Sequence, residues 1–386
     1  MNYSPSKVPQ HYLPGFNALR FLAASTVVFH HLGRQAELNS IPLPTLPLFE
    51  TAGPLGVQFF FTLSGFLITY LLGLEVRATG RIDAQAFYVR RILRIWPLYY
   101  FVLFLAYFGV PLIFGAISWR PPFIEKSLLN LHQTFPSSFL FSFFLMPNIS
   151  LKVYGPIFLA GLLWSVGVEE QFYAVWPWIL KWLSWPRAFV GLLLTKVFIV
   201  PWIARITGSA VFTFLAETRF ELMIWGGMGA WLLLNYPRIV QFFFQNSLAR
   251  WISPLLLFFA LTRNLLFTGP AFVFVLLSLR EGKLGPFLLE NWWLKYLGNI
   301  SYGIYLLHPP IILLALYLGQ RFHSAVLVYV VAFFLTLLFA HLSYRYFERP
   351  FLKLKERWAR VPGGYVPEPV PIAQTMRNVG YCEMTS

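Results

Sequence analysis

Arg20 and His31 stand eleven residues apart inside a single apolar run that opens near Phe16. Eleven steps of about 100° bring an α-helix to within ~20° of its starting direction, and the rise is roughly 16 Å. Both side chains therefore share one face, separated by about half the hydrocarbon thickness of a bilayer. A guanidinium near one membrane surface and an imidazole near mid-depth are costly in hydrocarbon, and such residues mark functional sites by default. An imidazole can take a proton from an attacking hydroxyl, so His31 suits a general base. His30 points ~100° away. The alternative leaves Arg20 as a helix-end cation reaching for the interface and His31 as a hydrogen-bonded packing residue.

Four further segments carry chemistry-bearing residues. Arg90, Arg91 and Arg94 lie within five residues before Trp96-Pro97. On a helix Arg91 and Arg94 project from one side, and planar guanidinium forks bind phosphate bidentately. The same cluster also serves as an ordinary cytoplasmic charge signal or an anionic-lipid contact. Ser64-Gly65 is a small pair that lets another helix, or a slender ligand chain, approach the backbone. Glu169 and Glu170 are adjacent carboxyls in an apolar stretch, pointing about 100° apart. Either could orient His31 or an acceptor hydroxyl, or hold helices together. Near the end of the chain, His308 precedes a proline that interrupts helical hydrogen bonding, which suits packing at a kink. Arg345 and Glu348 are three apart and are expected to form a local ion pair.

The elements that must position these residues are membrane helices. Of 386 residues, 58% are hydrophobic and only 12% charged, with mean hydropathy +0.62; a soluble domain carries about a quarter charged residues. Apolar runs of 18 residues or more predict an all-α polytopic membrane protein. Candidate spans fall near 16–34, 55–75, 95–116, 136–152, 160–184, 188–204, 219–235, 252–264, 266–280, 299–319 and 323–346. The net charge of +15 gathers at the ends of these runs, which argues against nucleic acid as a partner and for basic cytoplasmic loops. The loop holding Arg77, Arg81, Arg90, Arg91 and Arg94 is expected on the cytoplasmic side. The same holds for the segment carrying Arg349, Lys353, Lys355, Arg357 and Arg360. Both termini inside require an even number of crossings, and a bundle of about ten transmembrane helices is expected. The N-terminus shows no cleavable leader pattern, so its first apolar segment is expected to stay as a span. The sole cysteine, Cys382, offers no intrachain disulfide or Cys-based metal site, and no metal is expected. Residues 1–349 are expected to form one transmembrane domain and residues 350–386, rich in Pro and Gly, a flexible cytoplasmic tail. No sequence feature signals an oligomeric state.

Taken in order, these segments resemble the acyltransferase-3 family of integral-membrane acyltransferases. The resemblance runs from about Leu13 to Pro350. The family's Arg, ten residues, His pattern falls on Arg20 and His31, and its Arg-x-x-Arg on Arg91 and Arg94, with Arg90 beside them. Its Ser-Gly-Phe-Leu element falls on Ser64 to Leu67, and its Trp-Ser…Glu-Glu-Gln-Phe-Tyr element on Trp164 to Tyr173. The resemblance implies a roughly ten-helix fold in a bacterial inner membrane. It also implies transfer of an acyl group, commonly acetyl, from cytoplasmic acyl-CoA to a hydroxyl, often on an envelope glycan. Arg20, Arg90, Arg91, Arg94 and Ser64 become candidates for the donor, whose pantetheine arm is expected between the first two helices. His31 becomes the catalytic candidate. Many members carry Asp where this chain has Gln58, and Asp83 is its only aspartate. A carboxylate partner for His31 must then be Glu169 or Glu170. Some relatives carry a fused soluble esterase-like domain; without it, a second transfer step needs a separate protein. A different class, a transporter or flippase of a phosphorylated or lipid-linked glycan, would use the same arginines on its phosphate and His31 as a proton relay.

Overall fold

The computed structural model describes residues 13–45, 47–245, 265–281 and 289–359. Every regular element among them is helical. The chain opens with α1 (Phe16–Leu38), α2 (Pro47–Thr79) and α3 (Ala84–Ala116). Three short helices follow: α4 (Pro122–Thr134), α5 (Ser137–Phe143) and α6 (Pro147–Tyr154). Next come α7 (Trp164–Trp182), α8 (Trp185–Thr207), α9 (Ala210–Glu217), α10 (Phe220–Asn235), α11 (Pro237–Gln245) and α12 (Leu265–Glu281). The described part closes with α13 (Trp292–Asn299), α14 (Ser301–Phe322) and α15 (Ala325–Glu356).

Five helices (α2, α3, α8, α14 and α15) are long and apolar enough to cross a membrane by length and composition. The two helices with the most intramembrane charge chemistry, α1 and α7, fall outside that set. Arg20, His30 and His31 dilute the hydropathy of one, and Glu169, Glu170 and Lys181 that of the other. At 23 residues, α1 is nonetheless about 34 Å long. The expected span at 136–152 is instead two helices, broken where Leu145 takes a left-handed conformation (φ 60°). The expected span at 252–264 lies outside the described residues.

The helix starts follow local chemistry. Asp83 caps α3 by accepting from Ala86 N–H (2.9 Å), and Ser324 caps α15 by accepting from Leu327 N–H (3.2 Å). Three π-turns interrupt long helices: Leu105–Gly109 in α3, Thr195–Ile199 in α8 and Ser343–Glu348 in α15. Each ends two residues before a proline, at Pro111, Pro201 and Pro350 respectively. A proline ring clashes with the carbonyl four residues earlier, and one wide turn moves that carbonyl aside. The helix thus continues through Pro350 to Glu356, past the point where the sequence suggests a tail. Residues 360–386 of that expected tail lie outside the described residues.

Small residues set the helix spacing, as expected where lipid supplies no hydrophobic drive between helices. A Cβ on Gly65 would lie 2.0 Å from Met223 O, and one on Gly226 would lie 1.9 Å from Thr62 O. The α2 and α10 backbones are therefore in direct contact at a reciprocal glycine pair. Gly226→Ala is expected to cost about 1–3 kcal/mol by overpacking. The expected readout is early loss of monodisperse protein on heating in detergent; wild-type thermal behaviour would contradict this packing. At the rim, α8 is mostly uncovered, with Phe198 62% and Trp202 64% exposed. An apolar face of that kind suits lipid. By contrast α2 and α14 are central, and they carry the site.

Candidate active site

Arg20 and His31 do share one face of α1. That face looks toward α3, α7 and α14, because the opposite contacts close the route between α1 and α2. A Cβ on Gly53 would meet the His30 side chain at 2.2 Å, and one on Gly56 would meet Thr26 Oγ1 at 2.6 Å. The expected donor path between the first two helices is therefore shut at that depth. A path along the Arg20–His31 face meets three successive layers of polar groups.

The outermost layer is basic. Arg91 from α3 lies over the rings of Phe87 and Tyr173, at 5.6 and 5.5 Å. Arg20, Arg91 and Arg94 lie within electrostatic reach of one another. Lys355, from the last turns of α15, faces the same three guanidiniums. Among the described residues, no carboxylate lies in ion-pair contact with Arg20, Arg91, Arg94 or Lys355, and Arg20 Nε is buried with no hydrogen-bond partner. Buried polar atoms are normally paired, and an unpaired one costs about 1–3 kcal/mol. Four converging cations with an unpaired donor make a cradle for a polyanion. Beside it, a small cleft is lined by Arg94, Asn299, Tyr302, Tyr344, Glu348 and Leu352.

Arg90 does not join this layer. Its guanidinium bonds Glu75 at 2.9 Å and Trp358 O at 2.8 Å, while Glu75 also accepts from Asp83 N–H at 2.7 Å. Arg90 thereby ties the α2–α3 turn to the segment after α15.

The second layer holds the carboxyls. Glu169 accepts from Ser64 Oγ (2.9 Å) and from Tyr173 OH (3.1 Å). Glu170 accepts from Trp96 Nε1 (2.9 Å), and its other oxygen is buried with no partner among the described residues. Neither glutamate bonds His31. Ser64 thus contributes its hydroxyl to Glu169, and Gly65 beside it supplies the close packing. Toward the centre, Ser165 Oγ pairs with Tyr305 OH at 2.7 Å, linking α7 to α14.

The third layer is His31, whose partner is another histidine. His31 Nδ1 lies 2.8 Å from His308 Nε2, with the rings nearly parallel at 12° and their centroids 5.0 Å apart. His308 is completely buried. Its presence before Pro309-Pro310 is a signal the sequence does contain, but nothing along the chain links residue 308 to residue 31. Lys355 is likewise visible only as one of several basic residues. The expected Arg345–Glu348 pair does not form. The π-turn rotates the two apart, Glu348 accepts from Ser343 Oγ at 2.9 Å, and Arg345 stacks on Tyr346.

Comparison with known proteins matches residues 13–345 to a family described as an acyltransferase domain. O-acetyltransferase OatA of Staphylococcus aureus (strain NCTC 8325) is 28% identical over 378 residues, covering 91% of this chain and 58% of the relative. A provisionally named O-acetyltransferase of Staphylococcus aureus (strain MRSA252) is 26% identical over 386 residues, covering 92% of this chain and 60% of the relative. The chain thus spans about three-fifths of the length of these curated relatives. No solved structure matches.

Proposed function

The chain belongs to this family of acyltransferases, and from that premise we propose that it moves an acyl group, most simply acetyl, from acyl-CoA to a hydroxyl acceptor. The observation that supports this reading is the placement of a cluster of cations without a direct ion-pair partner near the start of α1 and an imidazole eleven residues further along it. Arg20, Arg91, Arg94 and Lys355 would hold the donor's phosphates. The roughly 16 Å rise from Arg20 to His31 would leave the pantetheine arm to bring the thioester beside the imidazole. His31 would accept the proton of the acceptor hydroxyl as the oxygen attacks the thioester carbon. The C–S bond then breaks, the CoA thiolate leaves and takes up a proton, and an ester remains on the acceptor. Transient acylation of His31 itself is the other route the same residues allow. Glu169 and Glu170, within electrostatic reach of Arg20 and Arg91, would offset part of the cationic charge and orient Ser64, Tyr173 and Trp96 rather than act on His31.

In this reading the acceptor is an envelope glycan or another hydroxyl compound. The protein sits in a bacterial inner membrane as a bundle of about ten crossings, with both termini and the basic layer facing the cytoplasm. The purified protein in lipid nanodiscs is expected to release free thiol from acetyl-CoA, and cells lacking the protein are expected to lose an acetyl-sized mass from an envelope glycan. A flippase would move its substrate with the thioester intact, so absence of thiol release and of acetyl-CoA binding would overturn the proposal.

A further inference from the structure

His308, which the sequence suggests only as packing at a kink, is a residue to which the family comparison gives no role. Its two hydrogen-bonding neighbours determine where its proton sits. His308 Nδ1 lies 3.2 Å from Ile304 O. The Tyr305 carbonyl also lies near the ring. In a regular helix, Tyr305 O would receive the N–H of residue 309, but that residue is Pro309, which has none. Carbonyl oxygens only accept, so His308 Nδ1 must carry a proton. A neutral imidazole carries one N–H, so His308 Nε2 is an acceptor. The atom 2.8 Å away, His31 Nδ1, must then be the donor. His31 Nε2 is left with its lone pair free.

We infer that His308 is a positioning residue that locks His31 in the Nδ1–H tautomer and so presents Nε2 as the reacting atom. Two hydrogen-bonded, nearly parallel imidazoles and the Ile304 carbonyl perform the orienting task that a carboxylate performs in a Ser-His-Asp triad. The alternative proton placement would set the His308 Nδ1 lone pair against the Ile304 carbonyl oxygen. The other titratable group that reaches His31 is His30, whose ring centroid is 5.4 Å away and whose Nδ1 faces Phe49 O at 3.2 Å. No carboxylate among the described residues competes for His31 Nδ1. The catalytic part of this inference rests on His31 being the base proposed above; the tautomer does not.

The test is 15N NMR of histidine-labelled protein in nanodiscs, with His31 and His308 assigned by difference against H31Q and H308N. In the wild type, both rings are expected to show a protonated Nδ1 and an unprotonated Nε2. His308→Phe keeps the bulk but removes the acceptor, and is expected to release His31 to the Nε2–H form. His308→Asn retains an amide oxygen and is expected to restore much of the Nδ1–H form. In acyl transfer, H308F should lower kcat by about 10²–10⁴-fold with donor KM changed less than about threefold, and H308N should recover part of that loss. An Nε2–H tautomer at His31 in the wild type would overturn the inference, and this holds even if H308F fails to fold. An Nδ1–H tautomer that persists in folded H308F would overturn it too. Failure of the enzymatic reading looks different: the tautomers are as expected, yet H31Q transfers acyl groups normally.

Discussion

His31→Ala is expected to reduce acyl transfer by about 10²–10⁴-fold, the usual contribution of a positioned general base. The magnitude follows from what the rest of the site can still do. Arg20, Arg91, Arg94 and Lys355 lie at the far end of α1 from His31, so donor binding survives and kcat carries the loss. The substitution leaves His308 Nε2 buried without its partner, a penalty of about 1–3 kcal/mol. His31→Gln, which can refill that hydrogen bond, separates catalytic loss from instability. Both variants should give monodisperse membrane protein that still binds acetyl-CoA. Turnover within a few-fold of wild type in H31Q would remove His31 from the reaction.

Replacing Arg91 and Arg94 together by Ala is expected to raise the donor KM by about 10²–10⁴-fold while kcat at saturation changes little. Each hydrogen bond to a charged group is worth about 1.5–3 kcal/mol, and tenfold in affinity corresponds to 1.4 kcal/mol. Arg91 is pre-set for its task, since stacking on Phe87 and Tyr173 restricts the guanidinium before any ligand arrives. High salt should weaken donor binding in the same direction, because the contacts are ionic. Arg90→Ala is the informative contrast, though it lies one residue away. It strips the partner from Glu75, whose side chain is 3% exposed, and breaking a buried pair costs about 3–5 kcal/mol. Arg90→Ala should therefore lower yield and thermal stability without a selective rise in donor KM. A selective KM effect in folded Arg90→Ala, or none in Arg91→Ala/Arg94→Ala, would reverse the two assignments.

The contrast between Arg90 and its neighbours shows where sequence reading stops. A helical wheel places Arg91 and Arg94 on one side of α3, and the structure keeps them there, close to Arg20. The wheel does not say that Arg90, ~100° around, meets Glu75 from the preceding turn. The small Ser64-Gly65 pair was legible as a close-packing site, yet its partner, Met223 and the Gly226 region of α10, was not. Glu169 and Glu170 were legible as intramembrane carboxyls, while their bonds to Ser64, Tyr173 and Trp96 depend on how α7 sits between α2 and α3.

By itself, the sequence determined that this is a helical membrane protein, that Arg20 and His31 share a face, and that basic residues gather at helix ends. Those are properties of composition and of a 3.6-residue period, both of which act within one helix. Tertiary structure alone decided that His308 rather than a glutamate meets His31, and that Lys355 joins Arg20, Arg91 and Arg94. It also decided that α1 and α2 are in close contact where Gly53 and Gly56 meet residues 23–30. These pairings join residues up to 335 positions apart, as with Arg20 and Lys355. Their distances follow from which helix faces can approach, and that is settled by glycine contacts, proline-widened turns and packing spread over the whole bundle. Helical period orders side chains around one axis; only packing between axes brings two of them within reach of a shared proton.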